Sequence, residues 1–103
     1  MSETDLVRGC LEVLNMHGIM AWRNNTGALR TGKRFIRFGA AGSPDIIAIR
    51  DGRFIGIECK LPGRKQSTSQ IMFETGIRAA GGEYWLIYGV DELAERLVER
   101  GDG

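Results

Sequence analysis

The stretch PDIIAIRDGRFIGIECK, from Pro44 to Lys60, carries the clearest structural signal in this chain of 103 residues. Two apolar runs in it flank Asp51-Gly52, and an Asp-Gly pair between such runs is the strongest short-range signal of a β-hairpin. If these two residues form the whole turn, Arg50 faces Arg53, and counting outward along both strands places Asp45 opposite Glu58. Alternate residues then share a face. The other face carries core-type side chains: Ile46, Ala48, Ile55, Ile57 and Cys59.

Asp45 and Glu58 would form an acidic pair across the two strands. Pair types alternate outward from the turn, so their Cβ atoms should lie about 4.5–5.5 Å apart. Opposed carboxylates repel unless a cation neutralises them, and Mg²⁺ favours such hard oxygen ligands. Lys60 lies two residues beyond Glu58 and therefore points to the same side. The hairpin predicts a metal site with an ammonium group beside it.

Other interpretations of these residues remain open at the level of sequence. A three-residue bulged turn would shift the register by one and separate the carboxylates. Asp45 after Pro44 is also typical of a turn or a strand start, and Glu58 with Lys60 could be a surface ion pair. Glu58 is harder to explain in this way, because it lies inside an apolar run where an unpaired Glu is rare.

Three helices are predicted outside the hairpin. A Ser2–Asp5 start box followed by apolar residues at helical spacing predicts the first helix, which stops at His17-Gly18. A Ser67–Gln70 capping box predicts the second, which runs to about Ala80 before Gly81-Gly82. The last helix should run from Asp91 to about Arg100.

The remaining segments read as strands and a loop. Strands are expected over Ile19–Arg23, Arg34–Phe38 and Glu83–Tyr88, in addition to Asp45–Arg50 and Arg53–Lys60. The polar segment Asn24–Lys33 is expected to be an exposed loop. The resulting order is α-β-β-β-β-α-β-α, an α/β class with a mixed sheet.

Length and composition bound the class of protein. One domain over residues 1–103 is expected, with a core over about 1–90 and a C-terminal helix and tail over 91–103. Hydrophobic residues make up 43% and charged residues 26%, which is typical of soluble globular proteins. Neither a membrane span nor a secretory signal is visible, so an intracellular, cytoplasmic location is expected. Cys10 and Cys59 fit a reduced protein, although one disulfide stays possible.

The net charge of +1 conceals a basic segment. No acidic residue occurs from Val13 to Pro44. Five bases fall there: Arg23, Arg30, Lys33, Arg34 and Arg37. Lys and Arg that neutralise nucleic-acid phosphates release counterions, so this segment is a candidate contact surface. A solvated basic loop is the alternative.

Several motifs together resemble one nuclease family. Pro44-Asp45 followed by Glu58-Cys59-Lys60 matches the PD-(D/E)xK nuclease signature. The wider text comprises WRNNTG from Trp22, GSPDIIAI from Gly42, GRFIGIECK from Gly52, QIMF from Gln70 and AAGGEYWLI from Ala79. This text resembles the virus-type replication-repair nuclease (VRR-NUC) family from Glu3 to about Val90. The resemblance implies a restriction-endonuclease-like mixed sheet flanked by helices.

The resemblance also implies roles for individual residues. It makes Asp45 and Glu58 the metal-binding carboxylates, Lys60 the catalytic lysine, Gln70 a supporting active-site glutamine, Glu3 a further metal or water contact, and the backbone carbonyl of Cys59 another metal ligand. Gln66 is the other candidate glutamine. Gln70 could instead only complete its capping box, and Glu3 could only favour the positive end of the helix dipole.

The resemblance to this family also implies binding partners and a source organism. Short stand-alone members from phages and bacteria tend to be homodimers that cut branched DNA, including four-way junctions. The expected DNA contacts are Arg23, Asn24, Asn25, Arg30, Lys33, Arg34, Arg64 and Lys65. Trp85, Tyr88 and Phe35–Phe38 are candidates for a dimer surface, with the core as the alternative for each.

The leading hypothesis is therefore a Mg²⁺-dependent, structure-selective DNA endonuclease in which Mn²⁺ can substitute. The alternative is a non-catalytic module that recognises DNA structure on the same fold. A third hypothesis is a structural or regulatory protein whose acidic last helix binds a protein partner.

Overall fold

The computed structural model describes residues 1–25 and 27–99, apart from the side chains at positions 27–29, 31 and 35–38. The helices are α1 (Glu3–Met16), α2 (Thr68–Ala79) and α3 (Val90–Val98). The strands are β1 (Met20–Arg23), β2 (Gly27–Thr31), β3 (Arg34–Phe38), β4 (Ile46–Arg50), β5 (Arg53–Cys59) and β6 (Glu83–Ile87). The predicted class, a mixed sheet flanked by helices, is confirmed, and the predicted order is present with one additional strand, β2.

Four strands form the main sheet in the order β1-β4-β5-β6. Neighbours are antiparallel except β5 and β6, which run parallel because α2 connects them as a crossover. One face of this sheet packs against α1 and α3. The core there includes Leu6, Cys10, Leu14, Leu93 and the five sheet residues predicted from the alternation, Ile46, Ala48, Ile55, Ile57 and Cys59.

The β4–β5 hairpin has the register that the sequence predicted. Asp51 and Gly52 have φ values of 55° and 77°, as a type I′ turn requires at both central positions. Facing pairs run from Arg50 and Arg53 at the turn to Ile46 and Ile57. Extending this register by one pair places Asp45 opposite Glu58, on the face that carries α2.

The prediction of a loop over Asn24–Lys33 is wrong for Gly27–Thr31, which form β2. This strand pairs with β3 around the two-residue turn Gly32-Lys33, making a separate two-stranded sheet. Gly32 has φ 61°, a conformation that glycine adopts without strain at the first position of such a turn. The sequence signal was weak, since Gly-Lys is a less diagnostic turn pair than Asn-Gly or Asp-Gly.

Both predicted capping boxes are present. Ser2 and Asp5 bond reciprocally at the start of α1, and Ser67 and Gln70 do so at the start of α2. The last helix starts one residue earlier than predicted and ends at Val98; the predicted end at Arg100 lies outside the described residues. No helix within the described ranges is long and apolar enough to cross a membrane. Both cysteines are free and buried.

Candidate active site

The candidate site lies at the open end of the β4–β5 hairpin, away from its turn. Glu58 is buried at 2% exposure near the end of β5, and Asp45 directly precedes β4. The carboxylate Oδ2 of Asp45 accepts the backbone N–H of Cys59 at 2.9 Å. This bond crosses the hairpin and holds Asp45 beside β5. The two carboxyl groups are close enough to hydrogen-bond when one of them is protonated.

The surroundings of Glu58 oppose its ionisation. Burial raises the pKa of Glu58 to about 8, and the neighbouring charge of Asp45 adds to the effect. Burial likewise raises the pKa of Asp45. Lys60 lowers the pKa of both groups, whereas repulsion from Glu3 raises the pKa of both. A pair of this kind needs either a shared proton or a cation.

Lys60 supplies the nearest cationic side chain in the described contacts of Glu58. Its Nζ lies 3.8 Å from Oε2 of Glu58, and its side chain is only 13% exposed. Its backbone N–H donates to the carbonyl of Ile87 at 3.0 Å, which ties the end of β5 to β6. The ammonium group is therefore anchored at the mouth of the site.

Gln70 caps its helix and also contacts Glu58, so the cap does not exclude a place at the candidate site. Its Oε1 accepts the backbone N–H of Ser67 at 2.8 Å, which completes the helix cap. Its Nε2 donates to Oε2 of Glu58 at 2.9 Å. The amide has two ends, so capping the helix does not prevent contact with the site.

Gln66 has a different environment. Its Nε2 donates at 3.1 Å both to Oε1 of Glu74 and to the hydroxyl of Tyr84. These bonds connect the segment before α2 to that helix and to β6. Gln70, and not Gln66, is the glutamine that contacts Glu58 in the described hydrogen bonds.

A buried carboxylate oxygen of Glu58 indicates whether the site suits a divalent cation. Oε1 of Glu58 is buried and has no hydrogen-bond donor in the part of the chain described. Within that part, no group of three or more His, Cys, Asp or Glu side chains is arranged to hold a metal ion. Mg²⁺ commonly takes only one or two carboxylates, with water and phosphate oxygens as its other ligands. Asp45 and Glu58 therefore fit such an ion.

Glu3 and the backbone of Cys59 both lie near the carboxylate pair. Glu3, at the first position of α1, is near enough to the carboxylate pair to raise both pKa values by repulsion. The backbone of Cys59 reaches the pair through its N–H, by the bond to Asp45. The Cys59 carbonyl and the Glu3 carboxylate remain predicted ligands.

Gly56 and Pro44 shape the floor of the site. A Cβ built on Gly56 would lie 2.7 Å from Cγ of Pro44 and 3.1 Å from Cδ1 of Ile77 on α2. The absence of a side chain at Gly56 therefore lets the turn before Asp45 and the helix α2 pack closely on β5. A glycine inside a strand is a known signal of such an approach, so the sequence held this clue.

The predicted DNA contacts divide into two groups. Seven side chains are exposed: Arg23, Asn25, Arg30, Lys33, Arg34, Arg64 and Lys65. Asn24 differs, because its amide donates to Oγ of Ser43 and to the carbonyl of Pro44. No local sequence pattern indicates these bonds, because they join residues about twenty positions apart.

The residues considered for a dimer surface also differ in their environments. Trp85 is 2% exposed and belongs to the core, where the guanidinium groups of Arg50 and Arg96 lie 5.7 and 4.7 Å from its ring. Tyr88 is 36% exposed. The side chains of Phe35–Phe38 lie outside the described part of the structure.

Comparisons with known proteins identify the fold. A solved structure described as a VRR_NUC domain superposes with a TM-score of 0.69 at 18% sequence identity, covering 96% of each chain. A second, described as a protein of unknown function, gives a TM-score of 0.40 at 18% identity over 89% of this chain and 54% of that one. No protein-family profile and no curated protein matches the sequence. The first comparison shows that the chain has a VRR-NUC-like fold.

Proposed function

We propose that this protein is a metal-dependent endonuclease that hydrolyses phosphodiester bonds in DNA, with branched DNA such as four-way junctions as its substrate. The observation that supports it is the buried Glu58, which faces Asp45, has Lys60 at 3.8 Å and keeps one oxygen without a donor among the described residues. A purely structural carboxylate at this depth would have its oxygens satisfied by donors. The unsatisfied, paired arrangement is what a site for a cation requires.

The carboxylates of Asp45 and Glu58 would hold Mg²⁺, or Mn²⁺ in its place, with the Cys59 carbonyl and Glu3 as supporting groups. When bound, the cation would supply positive charge to stabilise the phosphate in the transition state and would make water a better nucleophile. Gln70 fixes the orientation of Glu58 through the bond at 2.9 Å, so that Oε1 stays free for the ion.

Lys60 has the role of a charged donor beside the carboxylates. Its ammonium group, 3.8 Å from Oε2 of Glu58, can hold the attacking water or a phosphate oxygen by a hydrogen bond. In-line attack on phosphorus would leave 5′-phosphate and 3′-hydroxyl ends.

The exposed bases supply the proposed contacts to DNA. Arg30, Lys33 and Arg34 surround the turn of the β2–β3 hairpin, and Arg64 and Lys65 lie between Lys60 and α2. Side chains of this kind contact phosphates without reading sequence, which suits recognition of DNA by its shape. A homodimer would place two sites at a fixed separation, as symmetric cuts across a junction require. Molar mass in solution tests the dimer.

The test is cleavage of an end-labelled four-way junction in Mg²⁺ by the wild type and by Lys60→Ala and Glu58→Ala. We expect both variants to lose cleavage yet to bind the junction in Ca²⁺. Arg53→Ala is the matched control for Lys60→Ala, because it removes an exposed cation from the turn end of β5, the strand that Lys60 directly follows. Undiminished cleavage by either site variant would refute the proposal. Binding without cleavage by the wild type would select the non-catalytic DNA-binding alternative.

A further inference from the structure

Asn24 makes three hydrogen bonds to the turn that carries Asp45. Its side-chain Nδ2 donates to Oγ of Ser43 at 2.8 Å and to the carbonyl of Pro44 at 2.9 Å. Its backbone N–H donates to the carbonyl of Asp45 at 2.8 Å. One residue thus holds three consecutive positions leading into β4.

These bonds continue the sheet where its regular pairing ends. The ladder between β1 and β4 reaches Arg23 and Ile46, so Asp45 lies one residue beyond it. Pro44 has no N–H to donate and cannot take part in a ladder as a donor. Backbone groups in so buried a turn need partners, and the Asn24 amide supplies two donors from one side chain.

The position of Asp45 depends on this turn. Its Oδ2 reaches the backbone N–H of Cys59 at 2.9 Å, and its carboxyl group meets Glu58. A shift of the Pro44-Asp45 backbone by a few tenths of an ångström would lengthen the first bond and separate the two carboxylates. On the other side, Pro44 packs over Gly56 and limits movement toward β5.

We infer that Asn24 is a positioning residue of the proposed site, which sets the Asp45 carboxylate for cation binding instead of contacting DNA. The inference rests on the proposed function and revises the role that the sequence suggested for Asn24. Asparagine suits the role because the atoms facing its Nδ2 are a hydroxyl and a carbonyl oxygen, both acceptors. Aspartate has the same shape but is acceptor-only when ionised.

The experiment compares Asn24→Ala and Asn24→Asp with the wild type in junction cleavage at a series of Mg²⁺ concentrations. For both variants we expect kcat to fall roughly 10- to 100-fold and the half-saturating Mg²⁺ concentration to rise about tenfold, as for other residues that orient ligands. The Kd for the junction in Ca²⁺ should stay at the wild-type value. Asn25→Ala, which alters the adjacent exposed asparagine, should act on KM and leave the Mg²⁺ requirement unchanged.

The opposite pattern would overturn the inference. If Asn24→Ala weakens junction binding with kcat and the Mg²⁺ requirement unaltered, or has no effect, Asn24 does not position the site. If the variant fails to fold, Ser43→Ala removes one acceptor alone and should shift the Mg²⁺ curve in the same direction by a smaller factor; no shift refutes the inference.

Failure of the proposed function is a separate result. A wild type that never cleaves refutes the nuclease, and Mn²⁺ binding by calorimetry to the wild type and Asn24→Ala then decides the role of Asn24. Equal Mn²⁺ affinity, or no Mn²⁺ binding by either protein, would count against that role.

Discussion

Replacing Glu58 by Gln should change how stability depends on pH. Without metal, the folded protein keeps a proton on Glu58 up to a pKa of about 8, whereas the ordinary value is 4.5. Between these values the folded state binds more protons than the unfolded state, so stability falls as pH rises. At about 1.4 kcal/mol per pKa unit, the loss between roughly pH 5 and pH 9 is about 4 kcal/mol. Burial is the largest cause of the raised pKa of Glu58 and hence of this loss; repulsion from Asp45 and Glu3 contributes to the rise, and Lys60 opposes it.

The Glu58→Gln variant has no proton to lose at this position. Its amide can still accept from Gln70 and can donate to Asp45, so its packing should persist. We expect it to exceed the wild type in unfolding free energy by about 4 kcal/mol near pH 9 and to differ by less than about 1 kcal/mol near pH 5. Urea unfolding followed by circular dichroism in EDTA measures both values. Glu12→Gln, on an exposed face of α1, is the control for the same chemical change.

Mg²⁺ should reduce the loss of stability at high pH in the wild type but not in Glu58→Gln. An ion that binds only the folded state at a hundred times its Kd adds about 2.7 kcal/mol. The gain should be larger near pH 9 than near pH 5, because the ion and the proton compete for the same carboxylates. If wild type and Glu58→Gln lose stability in parallel from pH 5 to pH 9, the reasoning about the buried carboxylate is refuted.

Three further predictions concern the hairpin and helix α2. Gly56→Ala places a methyl group 2.7 Å from Cγ of Pro44, so thermal unfolding should show a loss of about 1–3 kcal/mol, and no loss would contradict the close packing. Gln70→Ala removes the half of the capping box that accepts the Ser67 backbone N–H, and it removes the donor to the buried glutamate. It should therefore raise the Mg²⁺ requirement for cleavage, whereas Gln66→Ala should lower stability alone. Gly52→Ala, at φ 77°, should cost about 1 kcal/mol in urea unfolding, since alanine strains a left-handed turn position.

The parts of the fold predicted from sequence are those that short-range chemistry determines. Asp51-Gly52 fits a turn with two positive φ values, and alternation on both sides leaves one register that buries the apolar face. That register alone brings Asp45 and Glu58 together. The capping boxes at Ser2 and Ser67 are equally local, because each is complete within four residues.

The parts that sequence reasoning missed depend on contacts between distant segments. Asn24 resembles its neighbour Asn25 in every local respect, and only the fold brings it to Pro44, twenty residues away. The sequence of β2 predicts a loop because it shows little apolar alternation. The strand forms through hydrogen bonds to β3 that composition does not reveal. The double role of Gln70 needed the position of α2 over β5, which no local pattern gives.

The hairpin turn and the carboxylates occupy opposite ends of the same two strands. Five residue steps separate Asp45 from Arg50, which corresponds to about 17 Å of extended chain. Asp51 and Gly52 are exposed, so extra residues inserted between them would leave the strand pairing, and hence the carboxylate pair, where it is. A fluorophore, an affinity handle or a small domain can therefore be introduced at this tip. An added residue between Phe54 and Glu58 would instead turn the glutamate toward the core.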